Sequence, residues 1–585
     1  MGVREDGGHA NTTNPMALID IEDVVPADAP PDSLRTASNA CAGTCGAVQP
    51  VAPRKVGPID LQREQVAKLE RVPGVASVWV RTYGCSHNIS DSEYMLGQLQ
   101  QYGYRITDDS MDADVWVVNT CTVKNPSQTA MANLLERGRK LGKPLLVCGC
   151  VPQGDHKAKE LEGLSVLGVS QIDRVAEAVE QTLQGNTVHL LAKKELPRLD
   201  LPKIRRNAHV EIIPLSTGCL GSCTYCKTKH ARGELGSYDL EALVDRARCA
   251  ARDPDVREIW LSSEDTGAYG RDLGIKLPDL LWRMVEVLPK DGSTRLRIGM
   301  TNPPFILDSL EEMAKILRHP LVFSYLHIPV QSGSDSVLLN MNREYTSAEF
   351  KLVADTLLKL VPGMELATDI ICGFPKETES DFEETLELVR SYRFKHCHIS
   401  QFYPRPGTPA ARMKKVPTQT VKNRSRAVTK LVDSFTDCYD ELVGSVELIS
   451  IVDWATDKMH LVGHSKTYAQ VLVEGDPNLM GCMAYCRITR ATRWCVFGEI
   501  LDTALPMDIT QGLGWEYSMQ KARHAWIPKL RRTADSLVGW FKCIEGGLQN
   551  VESKLADYNV DALLWAGMGF GVAGVVISLL KVRRS

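Results

Sequence analysis

The sequence has little net charge and lacks the patterns that mark secreted proteins. Its 68 Lys and Arg residues nearly balance its 72 Asp and Glu residues, giving a formal net charge of −4. Any nucleic-acid partner must therefore be bound by local basic patches. Residues 1–20 contain no apolar run typical of a secretory signal peptide. The 17 cysteines follow no regular disulfide spacing, so we expect reduced thiols in a cytosol-facing protein.

The length indicates several domains. A chain of 585 residues is too long for one hydrophobic core, and its 44% hydrophobic and 24% charged residues are ordinary for a globular protein. Residues 1–72 are rich in Ala, Pro, Asp, Thr and Gly without periodicity, which predicts a disordered extension.

Residues 73–195 alternate short apolar runs with helical patterns. The predicted strands are 77–82, 113–120, 144–148 and 165–169, and the predicted helices are 90–102, 125–140 and 171–183. Ser90 and Glu93 have the spacing of a capping box at the start of the first helix. The pattern predicts a small α/β domain with an open, mostly parallel sheet.

Residues 205–439 repeat the alternation more regularly. Six predicted strands, 211–215, 258–262, 295–299, 325–330, 366–371 and 397–402, favour a partial (β/α) barrel with its site at the carboxyl ends of the strands. Residues 440–503 change character and predict a small all-β barrel with strands 446–452, 460–464, 468–473, 482–489 and 492–501.

The last part of the chain contains an uncharged run. Residues 504–561 form a predicted linker with a possible helix at 515–526. Residues 562–580 carry no charge, span about 28 Å as a helix, and precede Lys581, Arg583 and Arg584. This pattern predicts a transmembrane tail anchor, and a buried core helix is the alternative. Gly567 and Gly571 have the spacing that permits close helix packing.

Cys219, Cys223 and Cys226 are the most informative residues. Their x3 then x2 spacing can hold three irons of a cubane cluster and leave the fourth iron open to a small molecule. Tyr225 precedes the last cysteine of the group. The alternatives are unligated thiols or a zinc site, for which His230 is the local fourth ligand.

A second group of cysteines follows three predicted strands of the first domain. Cys85, Cys121 and Cys150 each come directly after a strand, and the carboxyl ends of parallel strands converge on one crevice. Cys148 is expected to point to the opposite face, because side chains alternate along a strand. Isolated core cysteines are the alternative.

These residues resemble a known family. Cys85-x-x-Asn88-x-x-x-Ser92-Glu93, Asn119-Thr120-Cys121, Gly149-Cys150 and the Cys219 loop stand in the order found in tRNA methylthiotransferases of the radical S-adenosylmethionine (SAM) class. The resemblance covers residues 75–503 and implies a methylthiotransferase domain, a radical SAM domain and a TRAM domain. The stretches 262–270 and 329–334 are similar to the eukaryotic subgroup that modifies threonylcarbamoyladenosine.

The resemblance implies two 4Fe-4S clusters and bound SAM. Cys219, Cys223 and Cys226 would hold the SAM-binding cluster, and Cys85, Cys121 and Cys150 an auxiliary cluster that carries the sulfur. Ser263, Glu264 and Asp265 lie where the family binds the methionine amino group, although Glu264 as a solvated loop residue is the alternative. The further expected cofactor contacts are Tyr225, Asn302, Gln331 and Asp369.

The implied activity is conversion of N6-threonylcarbamoyladenosine to its 2-methylthio derivative at position 37 of tRNA. Isopentenyladenosine in tRNA is an alternative substrate, and a membrane-tethered iron–sulfur electron carrier is an alternative of another class. The reaction also needs an electron donor and a sulfur donor.

Three groups of basic residues are candidates for phosphate contacts, and solvated faces are the alternative. They are Lys203, Arg205 and Arg206; Lys422, Arg424 and Arg426; and Arg487, Arg490 and Arg493. The family points to the endoplasmic reticulum membrane with cytosolic catalytic domains, and the mitochondrial outer membrane is the alternative.

Overall fold

The computed structural model describes residues 76–122, 125–193 and 196–503, and every element below lies within them. The predictions of a disordered segment at 1–72, a linker at 504–561 and a transmembrane helix at 562–580 fall outside the described residues. Among the described helices, none is long and apolar enough to cross a membrane.

The N-terminal domain is a six-stranded parallel sheet in the order β2-β1-β3-β4-β5-β6. Its strands are β1 Ser77–Thr82, β2 Arg105–Ile106, β3 Val115–Thr120, β4 Leu145–Gly149, β5 Ser165–Leu167 and β6 His189–Leu190. Its helices are α1 Ser86–Tyr102, α2 Asn125–Lys140, α3 Cys150–Gly154 and α4 Val175–Leu183. Strand β3 is buried along its whole length because apolar clusters cover both faces of the sheet.

The predicted capping box in this domain is wrong. Helix α1 begins at Ser86, four residues before Ser90, and Cys85 occupies the position that precedes its first turn. Ser90 and Glu93 are buried inside the helix. The Glu93 carboxylate accepts a hydrogen bond from the Arg206 backbone N–H at 2.9 Å instead of capping α1. Tertiary partners of the helix therefore override the local signal.

The central domain is a half-open barrel of six parallel strands. The strands β7 Val210–Pro214, β10 Glu258–Ser262 and β11 Arg295–Arg297 form one sheet, and β12 Tyr325–His327, β13 Glu365–Cys372 and β14 His396–Gln401 form the other. A parallel bridge between Leu296 and Val322 joins them. The short pair β8 Ser216–Thr217 and β9 Gly236–Ser237 flanks the barrel. All six predicted strands occur: 258–262 matches β10 at both bounds, and one or both ends of each of the other five are shifted by one to three residues.

Helices connect these strands. They are α5 Thr228–Arg232, α6 Leu240–Arg252, α7 Leu277–Val287, α8 Leu310–Arg318, α9 Asp335–Met341, α10 Ser347–Leu360, α11 Glu379–Tyr392 and α12 Thr418–Asp433. This arrangement confirms the mixed α/β class and puts the strand carboxyl ends, with the loops that follow them, at one edge.

The last described domain is a closed five-stranded barrel in the order β15-β16-β17-β19-β18. Its strands are β15 Val446–Trp454, β16 His460–His464, β17 Gln470–Glu474, β18 Met483–Ala491 and β19 Val496–Asp502. It packs on the amino end of the parallel barrel. There the His464 ring lies 2.8 Å from the Glu258 carboxylate, and Tyr468 stacks against the guanidinium of Arg297. This domain therefore lies opposite the carboxyl edge.

A buried group of charges joins the N-terminal domain to the parallel barrel. The Lys203 ammonium lies 3.1 Å from Glu93 on α1 and 2.9 Å from Glu211 on β7, and its side chain is only 2% exposed. Arg205 and Arg246 also pair with Glu211. This joint holds α1 of the N-terminal domain against β7 of the barrel.

Candidate active site

The loop after β7 carries the first cysteine group. The pairing of β8 with β9 holds the start of this loop, and the Cys219 N–H donates to the Gly233 carbonyl at 3.2 Å. At the far side, the Thr224 N–H donates to the Met341 carbonyl at 2.9 Å. Gly221 lies between the thiols: a Cβ there would be 3.7 Å from the Cys219 Sγ and 3.9 Å from the Cys223 Sγ.

Arg343, which the sequence did not single out, reaches this loop from beyond α9. Its Nη1 donates to the Cys223 Sγ at 3.2 Å, and its guanidinium stacks on the Tyr345 ring. Tyr225 is also in contact with Arg343, and its ring packs edge-on against Phe374. Burial raises the pKa of the Cys219 thiol to about 12, and burial also raises the pKa of Cys223 although Arg343 opposes it. Metal binding must therefore displace protons from these thiols.

The second cysteine group forms at the carboxyl edge of the N-terminal sheet. Cys85 follows β1, Cys121 follows β3, and Cys150 begins α3 directly after β4. Gly84 permits this approach: it has a φ of +110°, and a Cβ there would lie 2.6 Å from the Cys121 Cβ. Burial raises the pKa of Cys85 and of Cys150 to about 12, with Arg232 opposing the rise in both.

Asn88 connects the turns that carry these three cysteines. Its side-chain amide donates to the carbonyls of Tyr83, at 2.9 Å, and Thr120, at 3.0 Å, which stand close before Cys85 and Cys121. Its Oδ1 lies 3.7 Å from the Cys150 Sγ. Asn88 is fully buried, so these hydrogen bonds fix the turns relative to one another. Cys148 points away into the core beside α1, as expected.

Neither cysteine group has the compact spacing of a mononuclear zinc site. Tetrahedral zinc would hold thiolate sulfurs about 3.8 Å apart. Within the described residues, one group of three side chains has its ligand atoms within 4.8 Å of one another. It consists of His327, Asp369 and His398 and contains no cysteine. His230, the local candidate for a fourth zinc ligand, is exposed. In neither group do the three thiols all lie within 4.8 Å of one another. A cubane cluster, unlike a single ion, presents a separate iron to each of three thiols.

The consecutive carboxylates Glu264 and Asp265, which follow β10, face different cysteine groups. The Glu264 Oε1 lies 3.0 Å from the Arg232 Nε and 3.2 Å from the His87 Nδ1, and its charge acts on Cys85 and Cys150. Asp265 instead acts on Cys219. Burial would raise the pKa of Glu264, but His87 and Arg232 hold it below its usual value. The solvated-loop alternative for Glu264 is wrong, because its side chain is 7% exposed.

Asp265 lies beside the first cysteine group and is connected to Cys223 through Asn302 and Arg343. Its carboxylate accepts hydrogen bonds from the Asn302 side chain at 2.6 Å and from the Asn302 backbone N–H at 3.3 Å. Arg343 in turn donates to the Asn302 Oδ1. Burial raises the pKa of Asp265 to about 6, because these contacts compensate only part of its desolvation. Asp265 is therefore poised to accept a cationic partner.

The other candidate residues lie along the same edge. The Ser263 hydroxyl donates to Thr266 at 3.3 Å, so its hydrogen bond closes the turn after β10. Gln331 has a φ of +67°, and its backbone pairs with β13. Asp369 lies 3.0 Å from the His327 Nε2 and belongs to the group with His398 described above. Gln331 and Asp369 therefore belong to the half of the barrel formed by β12, β13 and β14, whereas Ser263 follows β10 in the other half.

Several of the predicted phosphate contacts are wrong. Lys203 and Arg205 are buried in the joint between domains, and Arg424 pairs with Glu377 and Glu379. Arg493 donates to the carbonyls of Val432, Phe394 and Lys395, which ties the small barrel to its neighbour. The basic residues that stay exposed are Arg206, Lys422, Arg426, Arg487 and Arg490.

Three side chains beside the cysteine groups were not among the predicted site residues, namely His87, Arg232 and Arg343. Arg232 follows Cys226 by six residues and His87 follows Cys85 by two, and this closeness in sequence was the available signal for both. Arg343 stands more than a hundred residues from Cys223, in a segment without a recognisable pattern. Only folding brings Arg343 to the Cys223 thiol.

Comparison with known families agrees with this arrangement. Residues 77–167 match a family model described as "Uncharacterized protein family UPF0004", and residues 213–389 match the Radical SAM superfamily. A solved radical S-adenosylmethionine methyltransferase from Kitasatospora setae is 13% identical with a TM-score of 0.41, covering 57% of this chain and 74% of its own. A cysteine loop at the carboxyl edge of a half-open parallel barrel, in a segment that matches this superfamily, defines a radical SAM enzyme.

Curated relatives narrow the class. The chain is 53% identical to the threonylcarbamoyladenosine tRNA methylthiotransferase of Drosophila pseudoobscura pseudoobscura, over 74% of this chain and 78% of the relative. It is 51% identical to the human protein of the same name, over 74% and 75% of the two chains. The chain belongs to the threonylcarbamoyladenosine tRNA methylthiotransferase family.

Proposed function

We propose that the chain transfers a methylthio group to carbon 2 of N6-threonylcarbamoyladenosine at position 37 of tRNA. Relatives at 51–53% identity carry the name of this activity. The observation that carries the proposal is that two cysteine groups face the carboxyl edge of one barrel, with Glu264 directed to one group and Asp265 to the other. One group alone would serve SAM cleavage, and the second provides for the sulfur.

Each cysteine group would hold one 4Fe-4S cluster with an iron that no protein thiolate binds. Cys219, Cys223 and Cys226 would hold the SAM-binding cluster, whose chemistry is reductive cleavage of SAM to a radical that activates an unreactive C–H bond. Cys85, Cys121 and Cys150 would hold the auxiliary cluster beside the sulfur to be transferred. Arg343 and Arg232 lie against the first and second groups, and each supplies a positive charge that a buried anionic cluster requires.

Asp265, rather than Glu264, would bind the methionine ammonium of SAM. Asp265 is buried on the side of Cys219, and its pKa of about 6 shows that its carboxylate lacks full compensation of charge. Glu264 already pairs with Arg232 and His87 on the other side. The ammonium would complete the set of partners around Asp265 by a charge-assisted hydrogen bond.

The tRNA contacts would come from the exposed cations, Arg206, Lys422, Arg426, Arg487 and Arg490. Phosphate contacts of this kind give affinity without reading sequence. A base in the unstacked anticodon loop can be reached by a protein pocket. The reaction also requires an electron donor and a sulfur donor.

Nucleoside mass spectrometry tests the function directly. Reconstituted protein with SAM, dithionite and sulfide should convert tRNA that carries threonylcarbamoyladenosine, and cells without this chain should accumulate the unconverted nucleoside. Formation of 5′-deoxyadenosine without any methylthio product would contradict the transferase assignment. Failure to form 5′-deoxyadenosine would contradict the radical SAM assignment.

We further propose that residues 562–580 anchor the protein in the endoplasmic reticulum membrane with the catalytic domains in the cytosol. The support is the uncharged length of the run, which matches a bilayer core of about 30 Å. Replacing Val575 and Val576 with Arg should release the protein to the soluble fraction, since each charge costs about 2.5–3.5 kcal/mol on insertion scales. Recovery of the unaltered protein in the soluble fraction, or on mitochondria, would contradict it.

A further inference from the structure

Arg232 lies between the two cysteine groups and is fixed from three directions. It ends α5, which follows the Cys226 loop, and its side chain is 2% exposed. Its Nη2 donates to the Asn88 Oδ1 at 2.8 Å and to the Asp91 Oδ2 at 2.7 Å. Its Nε lies 3.0 Å from the Glu264 Oε1. A planar guanidinium held on two edges cannot rotate, so its orientation toward the cysteines is set by the fold.

The same guanidinium faces the thiols of the N-terminal domain. The Asn88 Oδ1 that accepts from Arg232 lies 3.7 Å from the Cys150 Sγ, and Ala231, the neighbour of Arg232, packs with Cys150 in one buried cluster. The side-chain amide of its partner Asn88 donates hydrogen bonds to the backbone carbonyls of Tyr83 and Thr120, just before Cys85 and Cys121. Arg232 is thus hydrogen-bonded to the residue that arranges the group, at the oxygen nearest to Cys150.

The two acidic partners of Arg232 come from different domains. Asp91 comes from α1 of the N-terminal domain, and Glu264 comes from the end of β10 in the parallel barrel. The Ser86 and Ser262 hydroxyls, 2.8 Å apart, connect the same two elements. Since Arg232 ends the helix that follows the first cysteine group, its ion pairs connect that segment to α1 and to the turn after β10.

We propose that Arg232 is a positioning residue for the auxiliary cluster: its guanidinium, held by Asn88, Asp91 and Glu264, compensates the charge of the Cys85 and Cys150 thiolates and sets the reduction potential of the cluster. This inference rests on the proposed function, which places a cluster there. An anionic cluster in a buried site needs such a cation, and hydrogen bonds to its sulfur atoms raise its potential.

The test isolates the auxiliary cluster in the full chain. In a Cys219→Ala background, which removes a ligand of the other cluster, the auxiliary potential is measured by EPR-monitored titration with and without Arg232→Gln. We expect the potential to shift to more negative values in Arg232→Gln. Arg232→Lys keeps the charge but not the planar fork, and it should give a smaller shift. Arg248→Gln removes an exposed cation from α6, which pairs with Asp245, and should give none.

Iron content distinguishes positioning from folding. If the Gln and Lys variants lose auxiliary iron, the same substitutions are placed in a Cys121→Ala background, where the SAM-side cluster remains. Retained SAM-side iron would support the proposal, and loss of iron at both sites would overturn it. An auxiliary cluster with an unshifted potential in Arg232→Gln would also overturn it. An auxiliary cluster absent from Cys219→Ala with Arg232 intact would instead contradict the proposed function.

Discussion

Cys219, Cys223 and Cys226 lie within eight consecutive residues of one loop, whereas Cys85, Cys121 and Cys150 follow three separate strands of another domain. The loop is held by backbone hydrogen bonds at its two ends. The strand-end group is fixed by a buried Asn88 and by the absence of a side chain at Gly84. A local group can form wherever its loop folds, but the second group exists only when the whole sheet is in register.

The arginines beside the two cysteine groups, Arg343 and Arg232, also differ in their partners. Arg343 donates directly to the Cys223 sulfur and has Asn302 and Tyr345 as further partners, so it faces the pocket of Asp265. Arg232 instead has two carboxylates and an amide as its direct partners, and it approaches Cys150 through that amide. The first cation lies beside a carboxylate with capacity for a ligand, and the second is part of a closed ion-pair network. This difference suggests a binding role on one side and a positioning role on the other.

Removing one cysteine from each group should give the largest effects and tests whether the two groups have different roles. Cys219→Ala should abolish both SAM cleavage and tRNA modification, because SAM would lose its cluster. Cys121→Ala should retain substantial SAM cleavage and lose methylthio transfer. Iron content should fall by roughly half in each variant. Assays of 5′-deoxyadenosine and of methylthiolated tRNA measure both, and a normal rate of product in Cys121→Ala would show that the second group is dispensable.

Substitution of the neighbouring carboxylates Asp265 and Glu264 should give the next largest effect, which is on SAM affinity. Asp265→Asn should weaken SAM binding by roughly ten- to a hundredfold, since a hydrogen bond to a charged group contributes about 1.5–3 kcal/mol. Glu264→Gln should leave SAM affinity within about threefold of the original and alter the auxiliary cluster instead. Equilibrium binding of SAM to the reconstituted protein provides the measurement. Equal losses of SAM affinity in the two variants would remove the proposed division between them.

The pH dependence follows from the same assignment. A carboxylate must be ionised to bind the ammonium, and burial raises the pKa of Asp265 to about 6. SAM affinity should therefore fall as the pH decreases through about 6 and level off above it. Asp265→Asn should abolish this dependence, and its persistence in the variant would assign it to another group.

The joint between domains tests whether the two cysteine groups depend on a common support. Glu211→Gln leaves Lys203, Arg205 and Arg246 without a buried anion, and should lower the free energy of unfolding by about 3–5 kcal/mol. Asp245→Asn, at an exposed pair with Arg248, should change it by less than about 1 kcal/mol. Urea unfolding measures both, and equal stability of the two variants would contradict a supporting role.

The effect of Glu211 should not vary with pH near neutrality. Burial alone would raise its pKa, but Arg246, Lys203 and Arg205 hold the pKa well below its usual range. This stabilisation is therefore present above the unfolded pKa and is lost only as the pH falls through the lower, folded value. The difference between the original protein and Glu211→Gln should stay constant from about pH 6 to 8.

The smallest expected effect lies far from both cysteine groups. Arg487→Gln combined with Arg490→Gln, at exposed positions of the small barrel, should weaken tRNA binding several-fold and reduce the salt dependence by up to about one charge per residue. Iron content and SAM cleavage should stay unchanged. Arg390→Gln, at an exposed pair on α11, is the matched control. An unchanged salt dependence would exclude this face from the tRNA contact.

Much of the fold could be predicted because its signals are local. Strands 77–82 and 258–262 were predicted at their observed bounds, since apolar runs between turn residues mark buried parallel strands. The start of α1 was wrong because Ser90 and Glu93 carry a capping signal that the buried joint overrides. Strand 460–464 also matches, and the bounds of the other predicted strands differ by a few residues, because pairing with neighbouring strands decides where each one ends.

The sequence by itself determined the two cysteine groups, the radical SAM class and the order of the domains, because spacing within a loop and positions after apolar runs are properties of the chain. Only the tertiary structure decided which charges face which cysteines. Glu264 and Asp265 are neighbours in sequence, yet one meets Arg232 and the other meets Asn302. Arg343 and Lys203 acquire their partners from distant segments. Electrostatic interactions depend on separation in space, and separation along the chain does not fix that distance.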